Sequence, residues 1–336
     1  MKYAKRKLGA LEVSPVGMGC MGLSHGYGHI PVEEQSIAAI RAAYEAGCTF
    51  FDTAEAYGPE LKEPGHNEKI VGKAVKGFRN DIVLATKLHI PSSELAGKSL
   101  YEFVKEHLIS SLRRLQTDYA DLYYLHRANP EVPVEDVAWV MGRLRKEGLI
   151  RGWGLSQVDA GTIAEAHAVT PVSAVQNLYN LLERDAEAEV IPYCLGQGIG
   201  FVPFSPVASG FLSGKIDAST ESGKKDDVRN WVPQLSRENI AGNQPFLEVL
   251  ERFSAPKGAT YAQLALAWML RKYPNVVPIP GSKRKERILE NLGAWDVLFT
   301  DEEFAKFEEA LSSLTVHGHR GQVEYSDASP AMKEAK

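Results

Sequence analysis

The stretch Thr49-Phe50-Phe51-Asp52-Thr53-Ala54-Glu55-Ala56-Tyr57 decides how this chain reads. It opens as a β-branched and aromatic run, the composition of a buried strand, and closes on two groups with chemistry, Asp52 and Tyr57. Working outward, the same design recurs. DIVLATK (81–87), DLYYLH (121–126), IRGWGLS (150–156), VSAVQ (172–176) and GIGFVPF (198–204) are apolar runs. Helical patterning over 66–77, 99–114, 134–147, 159–167 and 184–197 separates them. Upstream, Val16 to Met21 reads as a strand and Glu33 to Glu45 as a helix stopped at Gly47. Downstream come a helix over 259–272, the strand VVPIPGS (276–282) and a helix over 284–292.

Continuous hydrophobic strands alternating with helices predict a parallel sheet covered by helices. Eight such units close a (β/α)8 barrel, so a TIM barrel is the expected fold. A hairpin is expected over 3–16, turning at Gly9. A long excursion follows Phe204; its part 213–245, rich in Lys, Asp, Ser and Gly, would lie over the barrel mouth. The chain then ends in a helix beyond Asp301 and a tail over about 315–336. Nothing in the composition divides it, so residues 1–336 are expected to form one barrel domain.

Bulk properties exclude several roles. Lys and Arg number 38 against 43 Asp and Glu, a net charge of −5. No basic excess is present to neutralise a nucleic-acid backbone. The three cysteines, Cys20, Cys48 and Cys194, form no Cys-x-x-Cys pair, which argues against a disulfide scaffold or a zinc ribbon. The N-terminus does not read as a signal peptide, and no apolar run approaches bilayer length. A cytoplasmic protein with no membrane partner is expected; the oligomeric state is not legible.

Two motifs invite other readings. Gly17-Met-Gly-Cys-Met-Gly22 matches G-x-G-x-x-G after a strand, but the chain continues as loop instead of opening a helix, so a Rossmann fingerprint is rejected. The better expectation is that these glycines let a nicotinamide approach closely. His25 and His29 with Glu33 or Glu34 could suggest a metal, yet Gly26 and Gly28 leave no supported frame, and no metal is expected.

The strand ends carry the chemistry. Asp52, Lys87, His126, Ser156, Gln176 and Ser205 each follow an apolar run on successive strands. In a (β/α)8 barrel all such positions surround one mouth. Singly, Asp52 is a turn residue, Lys87 a snorkelling lysine and His126 a semi-buried histidine; in ordered succession they form a constellation. A phenol has a pKa of about 10. An adjacent ammonium lowers it and a carboxylate holds the ammonium in place. Tyr57 is thus expected as general acid/base, Lys87 as its tuner, Asp52 as the partner of Lys87, and His126 as the group that polarises a carbonyl oxygen.

The motif D-T-A-x-x-Y-G at 52–58, the pair Asn67-Glu68, Lys87 after a strand and Leu-His at 125–126 resemble the aldo-keto reductase superfamily in order and spacing, over most of the chain. The opening GMGCMGLS is most similar to the branch near pyridoxal and perakine reductases. The resemblance implies that Asp52, Tyr57, Lys87 and His126 form the catalytic set, and that NADPH/NADP+ is held across the barrel mouth. It places Gly19, Cys20, Met21 and Asp52 beside the cofactor. Ser156, Gln157 and Gln176 would meet the carboxamide, and Phe204 would stack on the nicotinamide. Ser205, Pro206 and the chain to Leu212, with Gly214 and Lys215, would follow the pyrophosphate. Ile279, Gly281, Ser282, Lys283 and Arg287 would surround an adenosine 2′-phosphate, with Glu290 and Asn291 near the adenine. Many relatives have Lys where Gly281 stands, which shifts the cation to Lys283 or Arg284; many have Asn where this chain has Gln157.

The basic cluster at 283–287 supports this independently. Cations at a helix N-terminus oppose the macrodipole, and a bound phosphate explains them. The expected reaction is NADPH-dependent reduction of an aldehyde or ketone to an alcohol, and the expected partner is a small carbonyl compound. Met21, Tyr27, Leu88, Arg127 and Trp231 would line its pocket; Arg127 hints at an anionic or polyhydroxylated substrate. A nucleotide-sensing regulatory subunit on the same barrel is one rival reading. A hydrolase or lyase using Asp52, His126 and Lys87 is another, and it leaves the basic cluster unexplained.

Overall fold

The computed structural model describes residues 3–59, 63–92, 95, 97–217, 219–220 and 227–321. Part of the expected excursion (218 and 221–226) and of the expected tail (322–336) lies outside these residues. The strands are β1 (Arg6–Leu8), β2 (Leu11–Val13), β3 (Met18–Gly19), β4 (Phe50–Asp52), β5 (Val83–Leu88), β6 (Ala120–Leu125), β7 (Ile150–Ser156), β8 (Ala174–Gln176) and β9 (Gly200–Phe201). Between and after them run α1 (Glu33–Glu45), α2 (His66–Val75), α3 (Leu100–Leu115), α4 (Val134–Lys146), α5 (Ala160–Val169) and α6 (Val190–Gly196). The remaining helices are α7 (Arg237–Gly242), α8 (Gln244–Ser254), α9 (Tyr261–Lys272), α10 (Lys285–Leu292) and α11 (Asp301–Ser312).

Strands β3 to β9 pair in sequence order, all parallel. The eighth segment, VVPIPGS, closes the ring without forming a regular ladder. Val277 N–H donates to the Phe201 carbonyl at 2.8 Å and Ile279 N–H to that of Pro203 at 3.2 Å. On its other edge the carbonyls of Pro278 and Pro280 accept from Gly17 and Gly19 at 2.9 and 3.3 Å. The two prolines have no N–H to return, so the ladder on that edge is reduced to a single bridge between Gly19 and Gly281. The closure is tight, since a Cβ on Gly19 would stand 2.7 Å from the Ile279 carbonyl oxygen and one on Gly17 2.6 Å from the Phe50 ring. Strand packing alone thus requires these two glycines, whatever they also do for a nicotinamide.

The antiparallel hairpin β1–β2, turning at Gly9 with φ 59°, plugs the N-terminal end of the barrel. Leu8 and Val13 join Phe50, Val83, Ala85, Leu122, Tyr124, Ala174, Val202, Val277 and Ile279 in the barrel interior. Two larger apolar layers fill the space between strands and helices. Local chemistry sets the helix starts. Reciprocal bonds of Ser99 with Glu102, Thr260 with Gln263 and Thr300 with Glu303 form capping boxes on α3, α9 and α11.

Two segments differ from the sequence expectation. The helix expected over 184–197 is α-helical only from Val190. The Arg184 guanidinium and Tyr179 hydroxyl both bond Glu187, drawing 185–187 into a separate 3-10 turn. The excursion contains α7 and α8, opened by the Ser236 cap and by Pro245 in the first turn, and its apolar face buries Phe246, Leu247, Val249 and Leu250. Among the described residues no helix is long and apolar enough to cross a membrane.

Candidate active site

Strand parity builds the site. Successive side chains alternate between faces, and interior residues fix which set points inward. Phe50 inside puts Asp52 inside; Val83 and Ala85 carry Lys87 with them; Leu122 and Tyr124 carry His126. Ala174 likewise carries Gln176 on β8. On β7 the inward positions before Ser156 are Gly152 and Gly154, and a Cβ on Gly154 would stand 2.5 Å from the Tyr124 ring. The strands thus present Asp52, Lys87, His126, Ser156 and Gln176 at their C-terminal ends, all buried.

The fully buried Lys87 ammonium is the hub. It pairs with Asp52 Oδ1, donates to the Thr53 carbonyl at 2.8 Å and reaches the Tyr57 hydroxyl at 3.4 Å. Gln176 Nε2 holds the other Asp52 oxygen at 2.9 Å. The His126 ring meets the Tyr57 ring edge-on, centroids 5.7 Å apart, and its Nδ1 is buried without a partner among the described residues. Burial opposes the charge on Lys87, yet Asp52 and Tyr57 outweigh it and hold the ammonium above its usual range. Burial also pushes the Asp52 carboxyl up, against the pull of Lys87 and Gln176. For Tyr57 the balance differs from expectation. Burial outweighs the lowering by Lys87, so the phenol sits above its ordinary value and stays protonated at neutral pH. Burial, then His89, Arg127 and Lys87, hold His126 well below an ordinary histidine, leaving a neutral imidazole.

A second layer fixes these groups from the helix side. Asn67 accepts from Thr53 Oγ1 at 2.6 Å and donates to the Cys20 carbonyl and Ser24 Oγ at 2.9 and 2.8 Å. Glu68 accepts from Thr86 at 2.6 Å and from Arg114 Nε at 2.6 Å. Arg114 and His107 both engage Glu55 at 2.8 Å. The chain around Tyr57 and the strand carrying Lys87 are thereby tied to α2 and α3.

The other expected residues divide. Ser156 Oγ accepts from Arg127 Nη1 at 3.0 Å, and the Arg127 guanidinium sits 5.9 Å over the Phe204 ring. Ser205, Ala208, Ser209 and Gly210 all have positive φ, and Ser209 Oγ is buried without a partner among the described residues. Val207, at φ −112°, separates Ser205 from the other three, and the N–H groups of Ala208 and Gly210 are spent on the Ser205 and Val207 carbonyls at 2.9 Å, so the Ser209 hydroxyl is the group left to meet an anion. Pro206 and Leu212 are buried, whereas Gly214 and Lys215 are exposed. At the start of α10, Ser282 Oγ accepts from Arg284 N–H at 3.2 Å, and Arg287 pairs with Glu290 at 2.7 Å beside buried Asn291. Lys283 is engaged elsewhere, donating to the carbonyls of Tyr27 and His29. The Gln157 side-chain oxygen accepts from Leu178 N–H at 2.9 Å and is likewise used within the fold. Met21 and Tyr27 are half-buried, and Trp231 is 44% exposed.

Two expected residues face the wrong way. Leu88 is one position past Lys87, so parity turns it outward into the helix-side core, and it does not line the mouth. Cys20 is buried in the other helix-side cluster. The residue sequence reasoning missed is His89, whose ring packs 4.4 Å from that of His126 and whose pKa burial lowers to about 4. Alternation from Lys87 would have found it.

A parallel barrel with a buried lysine–carboxylate pair and a tyrosine at one mouth defines an α/β-barrel enzyme architecture. The aldo/keto reductase family model matches residues 15–312. A probable aldo-keto reductase from Glycine max is 38% identical over 322 residues, covering 94% of this chain and 90% of that protein. The chain belongs to the aldo/keto reductase family. An aldo-keto reductase from Klebsiella pneumoniae, solved with NADP and acetate, superposes with a TM-score of 0.72 at 28% identity, covering 96% of this chain and 100% of that one. A glycerol dehydrogenase from Gluconobacter oxydans, at 22% identity and a TM-score of 0.81, shares the fold over 98% of this chain and 100% of its own.

Proposed function

We propose that this protein is an NADPH-dependent carbonyl reductase with Tyr57 as its general acid. The observation that carries the reading is the Lys87 ammonium, buried, paired with Asp52 and 3.4 Å from the Tyr57 hydroxyl. NADPH, found in the Klebsiella pneumoniae relative as NADP, supplies the hydride from nicotinamide C4 when bound. The orphaned Ser209 hydroxyl, in the positive-φ stretch Ala208–Gly210, suits the pyrophosphate, and Ser282 and Arg287 suit a 2′-phosphate. Phe204 offers a ring for the nicotinamide.

Neutral His126 donates a hydrogen bond to the substrate oxygen and orients it toward Tyr57. As the carbonyl carbon is reduced, negative charge grows on that oxygen and Tyr57 releases its proton to it. The phenolate left behind is stabilised by the Lys87 ammonium, which Asp52 and Gln176 keep in place, and is reprotonated from solvent. One carbonyl, one hydride and one proton give one alcohol. Burial keeps the phenol protonated before the reaction, and Lys87 limits the cost of its ionisation during it.

The test is NADPH consumption with a panel of aromatic, aliphatic, sugar-derived dicarbonyl and pyridoxal aldehydes, for the native enzyme and Tyr57→Phe. Turnover is expected to vanish in the variant while NADPH binding, read by protein fluorescence, stays. Comparable turnover in Tyr57→Phe would remove the assigned role.

A further inference from the structure

The chain does not leave the barrel after α11; it returns across the face that carries Tyr57. The main chain of His317 exchanges hydrogen bonds with the Asn243 side chain at 2.8 and 2.9 Å. The His319 carbonyl accepts from Gln234 N–H at 3.1 Å. Arg320 N–H donates to Glu183, and Gly321 passes beside the Trp231 carbonyl. Glu183 stands in the loop after β8, whose Leu178 bridges to Phe204 and whose Asn180 holds the Ser205 carbonyl at 3.1 Å. Arg127 lies over that same Phe204 ring. The returning segment therefore delivers Arg320 to the rim on which Arg127 stands.

We propose that the mouth receives a carbonyl compound bearing a carboxylate, which Arg127 and Arg320 bind between them. This rests on the reductase reading above. Neither guanidinium has a carboxylate partner among the described residues. Arg127 spends Nη1 on the His126 carbonyl and Ser156, and Arg320 Nε is buried with no partner among the described residues. The anions nearby are committed: Asp52 to Lys87, and Glu183 Oε1 to the Arg320 main chain and the Gln234 amide. Burial and then the charge of Arg320 lower the Arg127 pKa to about 10, while Tyr57 raises it, so the three groups share one field. Glu183 feels the Arg320 charge but forms no ion pair with its guanidinium. Two guanidinium groups without an ion-paired carboxylate at a half-buried rim are costly, and one substrate carboxylate relieves both while matching their planar donor forks.

The experiment compares 4-carboxybenzaldehyde with its neutral methyl ester, methyl 4-formylbenzoate, as NADPH-linked substrates. The native enzyme is expected to favour the acid about tenfold or more in kcat/KM, the worth of one charge-assisted contact. In Arg320→Gln the acid-to-ester ratio should drop about tenfold, mainly through KM, and Arg320→Lys should restore part of it. A native ratio near one, or a ratio unchanged in Arg320→Gln, overturns the inference and leaves the reductase reading standing. Failure to reduce either aldehyde, with NADPH bound, overturns both. The native ratio alone decides the matter if the variants do not fold.

Discussion

Replacing Asp52 by Asn removes one charge from a pair that is all but inaccessible: Lys87 is 0% and Asp52 2% exposed. The substitution keeps the shape and one acceptor, but Lys87 and Gln176 both donate to Asp52 in the native protein. One donor must then face an amide NH2, and the ammonium loses its counter-charge. A buried lysine in that position deprotonates instead of remaining charged. Deprotonation from an unfolded value of about 10.4 costs about 1.36 kcal/mol per pH unit, about 4.6 kcal/mol at pH 7 and about 1.9 at pH 9. The first figure matches the 3–5 kcal/mol typical of breaking a buried pair. In the native protein Lys87 is shifted upward, so its contribution is fully present below the unfolded pKa and is lost only as pH rises through the still higher folded value. Urea denaturation of both proteins at pH 7, 8 and 9 should therefore show the variant's deficit shrinking by about 1.4 kcal/mol per unit while the native protein is unaffected by this group. A deficit independent of pH over that range would refute a charged, buried Lys87 held by Asp52.

Three further outcomes are expected. Because burial and its cationic neighbours keep His126 well below 6.5, the rate profile between pH 6 and 8 should lack the acid limb of an ordinary histidine. Native stability should decline as pH falls below about 6.5, where the unfolded chain takes up a proton that the folded imidazole refuses; a limb in kcat near 6.5 would contradict the neutral assignment. Gly154→Ala places a methyl 2.5 Å from the Ala174 carbonyl oxygen and the Tyr124 ring, so a loss of about 1–3 kcal/mol should appear in the urea midpoint. An unchanged midpoint would mean that the barrel interior yields there.

Much of the site was legible because it is periodic. Apolar runs ending in Asp52, Lys87, His126, Ser156 and Gln176 specify strands, and alternation aims those five residues inward once the strands close. The same rule applied one position further would have rejected Leu88 and found His89. The eighth strand was legible as an apolar run but not as an irregular one, although Pro278 and Pro280 announce that its edge cannot carry a full ladder. Helices α7 and α8 were obscured by the polar residues before them, although Ser236 and Pro245 mark their starts.

The sequence by itself determined the order of strands and helices and the chemistry at each strand end, since both follow from local periodicity and residue type. Only the tertiary structure decided which groups meet. It set Glu68 and Glu55 on Arg114, sent Lys283 to the Tyr27 and His29 carbonyls rather than leaving it free for phosphate, and let burial override Lys87 in setting the Tyr57 pKa. It also brought Arg320 back from the end of the chain to the loop after β8. Such contacts depend on loop paths and on the dielectric of the folded interior, which no local pattern encodes.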